Sequence, residues 1–260
     1  MCTDNTKLIS EDFDMISVTI YNEFCHEKFD EKVKAIYPEG IHKAIAAFLE
    51  TEEDMTVRTV TLDDEECGLT DEVLKNTDVL LWWGHLRHGD VPDHVAHRVK
   101  DAVQSGMGFI ALHSAHHSKP FKLLMGTTCN LSWREDDDKE RIWVVNPTHP
   151  IAQGIDEYFE LEGEEMYSEP FGIPEPDQLV FIGWYEGGEV FRSGCCYQRD
   201  NGKIFYFQPG HESFPTYHNP AVQTVIKNAI RWAAPLKKIP LDCPHVKKLT
   251  YGVPGSHKYN

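Results

Sequence analysis

The 260 residues carry a formal net charge of −17, only partly offset by 14 histidines on acidification. That balance repels nucleic acid phosphates and anionic membrane surfaces and argues against both as partners. No run reaches the ~18 apolar residues of a membrane helix. The start, MCTDNTKLISEDFD, lacks the basic residues and apolar core of a secretory signal, so a cytoplasmic protein is expected.

Residues 16–22 read as a strand. Pro38 precedes Ile41, Ala44, Ile45, Phe48 and Leu49, the i, i+3, i+4 stripe of a helix packed on a sheet. Residues 55–62 form the second strand, and Thr70 caps a short helix with an acidic first turn. DVLLWWG, residues 78–84, is apolar on both faces and predicts a buried third strand. Pro92 opens a helix with Val95, Ala96, Val99, Ala102 and Val103 inward, and Gly106 ends it. His94 and His97 fall on its solvated face, and His42 reads as solvated too. GMGFIALH supplies a fourth strand, so the first half is a series of βαβ units with a parallel sheet.

From 118 to 175 the pattern is less regular. EDDDKE, residues 135–140, reads as a solvated loop, and NPTHPI as a proline-rich turn in which His149 is structural. Strand patterns resume in EEMYSEPF, QLVFIGWYEG and EVFRSGCCYQ, and the Asn-Gly of RDNGK predicts a hairpin into KIFYFQ. Asn219 and Pro220 start a last helix, which Pro235 stops. These boundaries give one α/β domain, residues 1–235, and an extended tail, 236–260. The seven cysteines show no C-x-x-C spacing, so free thiols are expected and no zinc ribbon. Cys25 alone stands beside a candidate site residue, as a weak nucleophile candidate.

Four apolar runs end on histidine, at His26, His85, His113 and His211. In a parallel sheet such residues gather outside the carboxyl ends of the strands. Imidazole is both a common metal ligand and a general base near neutral pH, so the pattern points to a shared site, with a divalent metal such as zinc as the expected cofactor.

The ordered motifs YNEFCH, WWGH, GFIALHSAHH, THPIAQGI, EEMY, RSGCCY, FYFQPGHES and NAIRWA, spread over about residues 16–234, resemble the ThuA-like family. It is named for trehalose utilisation and lies within the class I glutamine amidotransferase-like superfamily. The resemblance implies a flavodoxin-like three-layer α/β sandwich with a mainly parallel central sheet; the antiparallel hairpin strands of the second half add to it. It also implies a carbohydrate role, with a sugar or keto-sugar derivative as the small-molecule partner. Where the superfamily has a cysteine nucleophile, this chain has His113 and Ser114, so thioester-based glutamine hydrolysis is not expected. His211 and Glu212 match the base-like half.

The expected chemistry is hydrolysis, isomerisation or elimination at a metal held by His26, His85, His113 and His211. Glu212 or Glu23 would act as general base or oxygen ligand, and Glu165 and Tyr167 would hold hydroxyls. Ser114 and His116 are further candidates from the HSAHH segment, Ser114 as a hydrolase pair with His211 although the G-x-S-x-G elbow is missing. The alternative is a non-catalytic sugar-binding or accessory protein on the same fold. Whether the chain forms a homo-oligomer stays open.

Overall fold

The computed structural model describes residues 15–247. Cys2 and most of the expected tail lie outside the described residues, and 236–247 contain no helix or strand. The strands are β1 (Ile16–Asn22), β2 (Met55–Thr61), β3 (Val79–Trp83), β4 (Gly108–Leu112), β5 (Ser132–Val144), β6 (Tyr158–Ser168), β7 (Gln178–Tyr185), β8 (Val190–Arg199) and β9 (Gly202–Phe207). They form one sheet in the order β2-β1-β3-β4-β9-β8-β7-β5-β6. The first five in that order are parallel and the rest pair antiparallel. The parallel part has the flavodoxin-like order of doubly wound sheets, as expected.

The helices are α1 (His26–Phe29), α2 (Glu31–Ile36), α3 (Ile41–Leu49), α4 (Asp71–Lys75), α5 (Asp93–Gln104), α6 (Lys119–Met125) and α7 (Pro220–Ala233). Strand side chains alternate between two cores. Val79, Leu81 and Trp83 of β3 pack with Ile41, Ile45 and Leu49 of α3 and Val222, Val225 and Ile226 of α7. Leu80 and Trp82 pack with Val95, Val99 and Val103 of α5 and with Phe121 of α6. This two-sided burial is why DVLLWWG has no polar alternation. Among the described residues no helix is long and apolar enough to cross a membrane.

The expected caps are present. Thr70 Oγ1 accepts from the Val73 N–H (3.3 Å) and Asn219 Oδ1 from the Ala221 N–H (2.9 Å). Helices α1, α2 and α6 were not foreseen, since one or two turns show too little periodicity. Two expectations are corrected. EDDDKE is not a loop: it runs within β5, whose pairing with β6 slips between Arg134 and Asp138 and again before Glu140, with Asp137 at φ 55°. Such bulges bend a strand, and here Glu135, Asp136 and Asp137 are exposed while Glu140 is buried.

His42, the second correction, is buried. Its Nδ1 accepts from Asn22 Nδ2 (2.9 Å), which also donates to Glu27 Oε1 (2.7 Å), and Glu27 Oε1 accepts from the Ile41 N–H (3.1 Å). This network ties the end of β1 to the starts of α1 and α3, and so helps seat His26. Burial, then the charge of Lys43, lowers the His42 pKa from 6.5 to about 4. The folded state therefore favours the neutral ring. Its contribution is complete above about pH 6.5 and is lost as pH falls toward 4, on the order of 3 kcal/mol. Denaturant melts at pH 7 and pH 4.5 should show a smaller acid-induced loss for His42→Gln than for the parent chain; equal losses would contradict the assignment.

Candidate functional site

His26 opens α1 just after β1, His85 follows β3, His113 follows β4 and His211 follows β9. Because these strands are parallel, their carboxyl ends share one edge and the four rings meet. Ring centroids are 5.3 Å apart for His26 and His85, 5.2 Å for His85 and His211, 5.4 Å for His113 and His211, and 6.0 Å for His85 and His113. His113 has φ 51°, a left-handed conformation uncommon for a non-glycine residue and often found at functional turns. A cavity of about 620 Å³ opens here, a size that suits a small molecule. Another groove, about 660 Å³, lies along α4 and α5. Its charged groups are surface ion pairs such as Arg98 with Asp71 (2.9 Å), so the chemistry belongs to the histidine crevice.

The fourth wall comes from the bent β5–β6 arm. Trp133 pairs with Tyr167 across the two strands. Alternate residues Trp133 and Glu135 of β5, with Glu165 and Tyr167 of β6, line the cavity, as the period of two requires. Glu164 is fully buried. It accepts from the Gly210 N–H (2.9 Å), the His211 N–H (3.0 Å) and Thr216 Oγ1 (2.8 Å), anchoring the arm to the loop that carries His211 and Glu212.

Two carboxylates organise the polar groups. Glu212 accepts from His85 Nδ1 at 2.8 and 3.0 Å and lies 3.1 Å from His26 Nδ1. Burial would raise its pKa, but His85 first, then His211 and His26, hold it down at about 2. Glu165 Oε2 lies 2.9 Å from His113 Nε2 and 4.0 Å from His211 Nε2. Burial opposes its ionisation too, yet the imidazoles keep its pKa below the ordinary value. Both are ionised at neutral pH. Even so, Glu165 Oε2 and His26 Nδ1 are buried without a hydrogen-bond partner, because their close neighbours are misaligned for donation.

The ring nitrogens differ in availability. His113 is fully buried, and its Nδ1 faces the Gln208 carbonyl oxygen (2.9 Å), so Nδ1 donates and Nε2 meets Glu165 and the Tyr167 hydroxyl (3.3 Å). Burial disfavours the charged ring, but the Glu165 carboxylate close beside it outweighs this and raises the His113 pKa. His211 Nδ1 accepts from the Ser213 N–H (3.2 Å). Burial, then the His113 charge, lowers the His211 pKa to about 4, leaving that ring neutral. His116 Nδ1 donates to the Cys129 carbonyl oxygen (2.7 Å).

His26, His85, His116, His211, Ser114, Glu165, Tyr167 and Glu212 all line the cavity. His113 stands behind its wall, with both nitrogens engaged. Glu23 does not line it either. Its two oxygens accept from the Leu86 and Arg87 N–H groups (2.8 and 2.9 Å), which fixes the loop of His85 instead of supplying a base. Ser114 Oγ bonds the Tyr167 hydroxyl (2.9 Å), not His211, so the Ser–His pair is corrected. Trp133, Glu135, His88, His117 and Asn130 also line the cavity and were missed. The W-x-E alternation of 133–135 was the available signal, hidden by the acidic run beside it.

Fold and site together define a doubly wound α/β protein with an imidazole–carboxylate crevice at the carboxyl edge of its sheet. The sequence matches the ThuA family, described as trehalose utilisation, over residues 17–233; the chain belongs to that family. A protein described as ThuA-like from Parabacteroides merdae has a similar structure at 15% identity, with 88% of this chain and 94% of that chain covered and a TM-score of 0.63. Another so described, from Bacteroides uniformis, gives 13%, 84%, 91% and 0.61. A protein described as cytoplasmic from Salmonella typhimurium gives 11%, 85%, 100% and 0.56. Among curated proteins none matches the sequence.

Glu23→Ala should cost about 2 kcal/mol of stability, because two N–H groups lose a charged acceptor; an unchanged denaturation midpoint would contradict the anchoring role. Cys25 is no activated nucleophile, since burial and then the charge of Glu23 push its thiol pKa up. Ammonia release from glutamine should be absent, with or without thiol alkylation, and trapping of a glutamyl thioester would overturn this.

Proposed function

We propose that the chain is an enzyme of carbohydrate metabolism that performs metal-assisted acid–base chemistry on a sugar or keto-sugar derivative in this crevice. The sugar class is supported by the family. The metal is supported by one observation: Glu165 Oε2 is a buried carboxylate oxygen without a donor, and ligand atoms of His85, Glu165 and His211 all lie within 4.8 Å of one another. A divalent cation is the ligand such a set suits. Atoms of His26, His85 and Glu212 converge equally closely, but there the carboxylate is already taken by His85 Nδ1. That bond orients His85 through Nδ1 and leaves Nε2 as the nitrogen to meet a cation, a common support for a ligating histidine.

When bound, the cation would polarise a carbonyl or lower the pKa of a water. Glu212, ionised and buried, is the base nearest these ligands. Tyr167, whose pKa burial and the Glu165 charge raise well above 10, stays protonated and holds a substrate oxygen by donating its O–H. His113 orients Glu165 from behind. His211 ligates through Nε2 only after a tautomer shift that gives up the bond from Ser213. The described cysteines are all free, as a reducing cytoplasm requires.

The test is calorimetric titration of tag-free, chelator-treated protein with Zn²⁺ or Mn²⁺. One ion should bind, and Glu165→Gln or His85→Ala should weaken it by about tenfold or more, while His97→Ala on α5 changes nothing. At a thousandfold excess over Kd the ion should add about 4 kcal/mol of stability, removed by chelation. Wild-type affinity in Glu165→Gln would refute the assignment. Turnover of a keto-sugar panel would separate an enzyme from a pure binding protein.

A further inference from the structure

The cavity has a second, uncharged part that this chemistry leaves unused. Trp133, His88, His116, His117 and Asn130 line it. The His116 and His117 rings stand 4.4 Å apart, and Tyr167 adjoins both parts, 5.0 Å from His113 and 5.5 Å from His116. Burial foremost lowers the pKa of His116 and His117, so these rings are neutral. With Nδ1 committed to Cys129, neutral His116 keeps Nε2 as an acceptor. Among the described residues no lysine or arginine lines the cavity, whereas Asp30, Glu135, Glu165 and Glu212 do. A phosphate on a ring held beside Trp133, away from the proposed cation, would find no lysine or arginine, and Glu135 stands two residues along the same strand face.

Trp133 gives the uncharged part its shape. It is 63% exposed, yet it is fixed in β5 opposite Tyr167, so its indole belongs to the face that covers the crevice. An aromatic face flanked by neutral donors and acceptors matches a pyranose, whose C–H face is apolar and whose rim is hydroxyl.

We propose that Trp133, with His88, His116, His117 and Asn130, forms a second ring-binding subsite, which takes an uncharged pyranose joined to the unit at the carboxylate end and rejects phosphorylated sugars. The subsite rests on the sugar reading above and adds the number of rings, their charge and the residue that selects them.

The experiment measures binding to the full chain by calorimetry and by tryptophan fluorescence. Its probes are methyl α-D-glucopyranoside for one ring, trehalose and maltose for two neutral rings, and trehalose 6-phosphate for two rings with charge. A disaccharide should bind about tenfold more tightly than the one-ring probe, and its phosphate more weakly than the parent sugar. Trp133→Ala should abolish the two-ring advantage while leaving one-ring affinity unchanged, and Trp133→Phe should keep most of it. Equal weakening of both probes in Trp133→Ala, unchanged disaccharide affinity there, or a phosphate that binds as tightly as its parent would each overturn the subsite. Failure of every sugar to bind the parent chain would instead overturn the sugar reading, and the subsite with it.

Discussion

Glu165 and Glu212 are buried at one sheet edge, and among the described residues no lysine or arginine lines the cavity they share. An isolated buried carboxylate costs several kcal/mol even after relaxation, so the surrounding groups must supply positive charge or donors. Imidazoles are what the fold offers. His85 serves Glu212 in good hydrogen-bond geometry, whereas His113 approaches Glu165 closely but out of line. That asymmetry separates a satisfied carboxylate from one with an oxygen left unpartnered. It follows that the two acids have different tasks, although both are ionised.

The supporting structure exists to hold these groups where water alone would not put them. The parallel strands bring His26, His85, His113 and His211 to one edge, and loops stiffened by buried carboxylates hold them there. Glu23 fixes the turn of His85 through two backbone N–H groups, and Glu164 fixes the turn of His211 through two more. The bulged β5–β6 arm brings Glu165 and Tyr167, on a strand at the far end of the pairing order, back over the crevice. Preorganisation of this kind lets a polar site act without reorganising when charge changes.

Much of this was legible in the residues. The parallel half and the four site histidines followed from apolar runs that end on imidazole, because strand direction alone decides where such ends meet. The part played by each histidine was not legible. His113 stands behind Glu165 because its Nδ1 donates to the carbonyl of Gln208, a partner 95 residues away, and no local pattern encodes that pairing. Glu23 and Glu164 were read as a base and passed over, respectively, since their backbone donors come from distant loops. EDDDKE was misread because its bulged strand exposes Glu135, Asp136 and Asp137 in succession and so loses the alternation that marks a strand, although Glu140 at its end is buried. His42 was misread because its partner, Asn22, lies across the fold.

The central claim is that Glu165 is the unsatisfied acid of the crevice and is completed by a cation. Anomalous diffraction from crystals of the full chain grown with Zn²⁺ or Mn²⁺ tests it directly. The expected result is one strong peak about 2.0–2.2 Å from Glu165 Oε2, at bonding distance from nitrogens of His85 and His211. A crevice without a peak, or ions found only at surface histidines such as His94 and His97, would contradict it.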